Sequence, residues 1–95
     1  MKLSAVEGTT FDLGQIVATR GAVATIPELV IHQCLVRHAG GDWGDVSKKD
    51  WKSNDESLND ESRILSAYYT DDGVKFWIIT EADRSSTTVL LPDEY

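Results

Sequence analysis

The chain has 95 residues and a formal net charge of -7, from nine basic and sixteen acidic side chains. That length suits one domain able to bury roughly two-thirds of its unfolded surface. The charge disfavours direct nucleic-acid binding, which rests on clustered Lys and Arg. No apolar run approaches the ~20 residues of a membrane span, so membrane insertion is not expected.

The acidity is uneven. Residues 1–37 are balanced, whereas 38–63 and 64–95 each carry an excess of carboxylates. Residues 1–10 read as loosely structured, and Lys2 with the early Glu7 is not the pattern of a secretion signal. The lone Cys34 suits a reducing compartment and excludes an internal disulfide. A cytoplasmic location is therefore expected.

Gln15–Ala18 reads as a short strand, and Thr19 is placed to cap a helical turn over Arg20–Ala24. Thr25-Ile-Pro-Glu28 has capping-box spacing and predicts a second helix reaching about His38, closed by Gly40 and Gly41. Its apolar stripe of Leu29, Val30, Ile31, Cys34, Leu35 and Val36 is wide, which predicts packing on more than one side. Ser47 can cap a third helix over about Lys48–Asn59, where Trp51 and Leu58 are the large apolar residues.

From Ile64 the pattern changes to strands. ILSAYYT and VKFWIIT flank an Asp71-Asp-Gly73 turn, and a third strand runs up to Pro92. Val74, Phe76 and Ile78 alternate with Lys75, Trp77 and Ile79, so both faces of that strand carry apolar residues and helices are expected on one of them. The expected fold is α+β: a three- to four-stranded antiparallel sheet packed with two to three N-terminal helices.

Two segments could carry chemistry. In His38-Ala-Gly-Gly-Asp-Trp-Gly-Asp45, glycines surround an aromatic and two carboxylates. His38, Asp42 and Asp45 could be imagined as a metal set, but one histidine is thin support and no metal is expected. Trp43 reads either as a plug at the core edge or as an exposed partner anchor. In Thr80-Glu-Ala-Asp-Arg-Ser-Ser-Thr87, Glu81, Asp83 and Arg84 read as a hairpin turn or as an acid–base group with a clamp. His32 and His38 are six apart, on opposite sides of one helix, and each reads as a surface or C-terminal residue. There is no nucleophile elbow, phosphate loop or Cys pair, and no cofactor is expected.

Several phrases together carry a resemblance: Ile16-Val-Ala-Thr-Arg-Gly-Ala22, Arg37 to Asp45, Arg63-Ile-Leu-Ser-Ala-Tyr68, Trp77 to Ser85, and Thr88 to Tyr95. The chain resembles a family of small proteins borne on bacterial plasmids and other mobile elements, labelled "plasmid-related protein" or restriction-enzyme subunit. The resemblance covers roughly residues 13–95. It implies an anti-CRISPR or anti-restriction role for an acidic inhibitor that binds the basic surface of a defence-complex subunit. The chain is too short for a methyltransferase fold and lacks its Gly-rich loop.

The expected partner-binding residues are Asp42, Trp43, Asp45, Asp55, Glu56, Asp60, Glu61, Asp71 and Asp72, with no catalytic residue. The alternatives are a small enzyme using Glu81, Asp83 and Arg84, with His38, and a homodimeric plasmid accessory protein.

Overall fold

The computed structural model describes residues 10–95. The expectations for the N-terminal residues lie, over residues 1–9, outside the described part. The elements run β1 (Gln15–Ala18), α1 (Arg20–Thr25), α2 (Glu28–Ala39), α3 (Lys48–Asp60), β2 (Ile64–Tyr69), β3 (Lys75–Thr80) and β4 (Ser86–Leu90), ending in a 3-10 turn at Pro92–Glu94. The class is α+β, as the residue pattern predicts.

The sheet has four strands in the order β1-β4-β3-β2. The C-terminal meander is antiparallel, with Ser66 opposite Ile78 and Ile78 opposite Val89. The sheet is nevertheless mixed, because β1 pairs with β4 in parallel. The reason is where β1 must deliver the chain. Thr19 follows it and caps α1, whose first turn meets the chain's C-terminal turn: the Glu94 carboxylate accepts from Thr19 Oγ1 at 2.5 Å and from Gly21 N at 2.9 Å. Strands β1 and β4 must therefore end on the same side. Gly14 makes their close approach feasible, since its φ is +62° and a Cβ there would stand 2.4 Å from the Arg84 and Ser85 backbone.

Helices α1 and α2 cover one face of the sheet. Ala22, Ile26, Ile31, Cys34, Leu35 and Ala39 pack there against Tyr68, Phe76, Ile78 and Val89. The capping box foreseen at Thr25 does not form. Thr25 closes α1, and α2 begins beyond Pro27 with no side-chain cap. Ile26-Pro27 separates the two helices, with Ile26, 2% exposed, drawn into the core. The broad stripe of α2 is also narrower in practice: Leu29 and Val36 face solvent. Ser47 caps α3 as expected, with its Oγ accepting from Asp50 N at 3.0 Å.

The outer edge of β2 is closed by side chain and loop. The Asn54 carboxamide donates to Leu65 O at 2.8 Å and accepts from Leu65 N at 3.4 Å, as a neighbouring strand would. Two residues on, Ala67 N donates to Trp43 O and Ala67 O accepts from Asp45 N. Gly44 makes that pairing feasible, because a Cβ there would sit 2.0 Å from Ala67 O.

Candidate functional site

The histidine expected at a helix surface is fully buried. His38 shares the inward stripe of α2 with Ile31, Cys34 and Leu35. Its Nδ1 lies 2.5 Å from Ser66 Oγ and its Nε2 lies 2.8 Å from Thr80 Oγ1. Thr80 Oγ1 is 2.7 Å from Thr87 Oγ1, which donates to Leu13 O. That carbonyl fixes the direction of the whole chain. Thr87 spends its proton on Leu13, so Thr80 donates to Thr87 and accepts from His38. Nε2 therefore carries the imidazole proton, and Nδ1 accepts from Ser66. Burial holds His38 down to about pKa 3, with the Arg84 charge adding to the effect.

A serine within hydrogen-bond reach of a histidine is the geometry of an activated nucleophile. Here it has no such use. Ser66, His38, Thr80 and Thr87 are all fully buried, and the third group is a hydroxyl, which offers no negative charge to a forming imidazolium. The chain of hydroxyls satisfies polar groups inside the core. His38 faces Ser66 and Thr80 rather than Asp42 and Asp45, and no cluster of three or more metal-ligating residues occurs among the described residues.

Arg84 is a clamp. Its guanidinium donates to the carbonyls of Ser57 and Ser62 at 2.8 Å each and of Glu81 at 3.1 Å, while its own φ is +62°. This ties the C-terminal turn of α3 to the β3–β4 turn. The carboxylates do not converge on it. Asp83 Oδ1 instead accepts from Ser85 N at 3.0 Å, and the bonds from Ser85 hold its carboxyl below the usual range. Glu81 and Asp83 stand exposed on the β3–β4 turn.

The clamp has an electrostatic consequence. It brings Asp60 and Glu61, at the end of α3, beside Glu81 and Asp83. Asp12 joins them, since Gln15 N bonds Ser85 O and Gly14 abuts Arg84. All five carboxylates are exposed. They gather near the C-terminal end of α3, whose last turn has no basic residue of its own and receives the Arg84 guanidinium at Ser57 O. Glu61 also sits at φ 57°, a left-handed position that suits glycine.

The other expected binding residues have different surroundings. Trp43 is 0% exposed and stacks edge-on against His38, so it is a core residue and not an exposed anchor. Its indole N–H donates to Asp55 Oδ1 at 2.9 Å. Asp42 is paired with Arg37 at 2.8 Å, and that bond holds its carboxyl below the usual range. Asp45 is exposed on the β2 edge, and Glu56 on α3. Asp71 and Asp72 lie in the β2–β3 turn, at the opposite end of the strands from Glu81, and Asp72 accepts from Thr70 Oγ1. The nine residues thus do not form one surface. Asp60, Glu61 and the neighbouring Glu56 fall at one pole, which Asp12, Glu81 and Asp83 complete.

Sequence reading missed the role of His38. The signal was its spacing of seven from Ile31 and four from Cys34, which sets it on the buried stripe. Comparisons with protein-family models, with curated proteins and with solved structures find no match.

Proposed function

We propose that this chain is a non-enzymatic interaction protein that inhibits a nucleic-acid-targeting defence system by occupying a basic surface of one of its subunits. The observation that carries this reading is the exposed acidic pole. Glu61 keeps a side chain where glycine would relax the backbone, and exposed carboxylates flank it in α3 and on the β3–β4 turn. Such local conflicts are expected where a surface serves a partner. An array of carboxylates on a rigid turn and a helix end can stand in for phosphates in a basic groove. Charge pairing of this kind mainly speeds association and selects the partner. The resemblance to mobile-element proteins supports a defence complex as that partner.

The test is protection in cells. A plasmid carrying a target site is introduced into hosts with an active nuclease defence, with and without this protein. The wild type raises transformation, and Glu56→Lys combined with Glu61→Lys and Glu81→Lys abolishes the gain while the purified variant stays folded. Equal protection by the reversed variant would overturn the role of the acidic pole.

A further inference from the structure

The two edges of the sheet differ. The β2 edge is occupied by Asn54 and by residues 43–45. At the β1 edge, Gln15, Val17 and Ala18 are exposed, and no hydrogen bond reaches the outer side of the strand among the described residues. Gln15 N donates to Ser85 O and Thr19 N to Val89 O, each at 3.0 Å, so residues 15, 17 and 19 turn their backbone groups toward β4. Alternation turns the N–H and C=O of Ile16 and Ala18 outward. The strand Gln15-Ile-Val-Ala18 has no charge and no proline, and of the usual devices that blunt an edge only its shortness applies.

A groove runs beside this edge. A cavity of about 350 Å³ lies between β1 and the two covering helices, with Ala18, Val23, Ile26, Glu28 and Ile31 in its wall. Val23 is 64% exposed. Ile16 packs on the core from the same side, while Val17 points to the other face of the sheet. We propose that β1 pairs antiparallel with β1 of a second copy of this chain, about a twofold axis at Val17, so that the two sheets become one.

The edge is complementary to itself in this register. Ile16 faces Ala18 of the other copy and Ala18 faces its Ile16, so every outward N–H and C=O of both strands finds a partner. The large Ile16 side chain then stands opposite the small Ala18, at the mouth of the other copy's groove. Beyond the strand, Arg20 is exposed and forms no ion pair among the described residues. The register carries it toward Gly14 and the exposed Asp12 of the other copy, at both ends of the joint. Antiparallel pairing also sets the two acidic poles at opposite ends, which limits repulsion between copies of net charge -7. A strand from another protein would gain the backbone bonds, but nothing on this edge specifies its side chains. A four-residue edge buries less than the about 800 Å² per partner of a stable dimer, so the association is weak and reversible, with a Kd on the order of 100 µM. The inference does not rest on the acidic pole having a basic partner.

The experiment is analytical ultracentrifugation of the full chain from about 10 µM to about 1 mM, spanning the expected Kd, together with disulfide trapping. The wild type passes reversibly from monomer to dimer. Val17→Lys sets like charges face to face at the axis and abolishes the dimer while the circular dichroism stays native. Arg20→Glu weakens the dimer at least tenfold, and adding Asp12→Lys restores it. Val17→Cys cross-links on mild oxidation, because directly opposed residues at this kind of site stand about 4.5 Å apart at Cα. The wild type, whose lone Cys34 is buried, and Ser53→Cys on α3 do not cross-link. A monomer at every concentration would overturn the inference, as would a dimer indifferent to Val17→Lys or a Val17→Cys variant that fails to cross-link. Dimerisation only after removal of residues 1–9 would assign the edge to the chain's own N-terminal segment instead. A monomer that binds displayed peptides, and loses them on Val17→Lys, would assign it to a strand of another protein.

Discussion

Single residues in this protein serve the backbone more often than they serve each other. Arg84 spends its donors on carbonyls of three separate segments and holds a left-handed φ while doing so. Arg84→Ala orphans those acceptors and should cost about 2–3 kcal/mol, read from the urea midpoint. Glu61 differs, since its left-handed backbone is held by its N–H donating to Ser57 O at 3.0 Å rather than by its side chain. Glu61→Gly should raise stability by about 1 kcal/mol. An unchanged or lower midpoint would mean that the Glu61 side chain stabilises the helix end.

His38 sets a pH dependence. Its ordinary value is 6.5 and the folded value is about 3. Above 6.5 neither state binds the proton, and the contribution of the neutral, hydrogen-bonded ring is fully present. Below 6.5 the unfolded chain takes up a proton that the native core excludes. Stability should then fall by about 1.4 kcal/mol per pH unit as the pH drops through this window. His38→Gln should be less stable at pH 7 and show a shallower slope, and parallel slopes for the two proteins would contradict this origin.

At the scale of elements, the β2 edge shows how the sheet avoids open-ended pairing. Asn54, buried at 6%, supplies from a helix the two hydrogen bonds a further strand would make to Leu65. Asn54→Ala leaves both Leu65 groups unsatisfied and should cost about 2–3 kcal/mol. Faster amide exchange at Leu65 is the specific sign, and unchanged exchange would show that solvent or a neighbour replaces the carboxamide.

Most elements were legible because each rests on local signals. The Asp71-Asp-Gly73 turn, the Thr19 and Ser47 caps and the alternation through Lys75–Thr80 all specify their own conformations. Two features were not local. The parallel pairing of β1 goes with Glu94 meeting Thr19, residues 75 apart in the chain. The break at Ile26-Pro27 depends on a core pocket that admits Ile26, whereas the capping-box spacing alone favours a start at Thr25.

The whole molecule has two unlike surfaces on one core. An acidic pole gathers carboxylates from α3, the β3–β4 turn and the approach to β1. The sheet face away from α1 and α2 carries Trp77 against Tyr95, with Arg63 beside the Tyr95 ring. Part of the pole could be read from the sequence, because Glu56, Asp60 and Glu61 are close in sequence. Its completion by Asp12, Glu81 and Asp83 could not, since it depends on Arg84 reaching carbonyls 22 and 27 residues away. Trp43 was misplaced for a related reason: its burial follows from Asp55 and His38 coming together around it, which residue spacing alone does not reveal.

The most direct measurement is affinity capture from host lysate with the wild type and with the Glu56→Lys, Glu61→Lys, Glu81→Lys variant as paired baits. It is run at about 0.1 M and about 1 M salt, between which the screening length falls from ~10 to ~3 Å. The expected result is a basic subunit of a nucleic-acid-targeting complex, held by the wild type at low salt, released at high salt and not held by the variant. Equal capture by both baits, or capture of nothing beyond the bait, would contradict an acidic pole made for a basic partner.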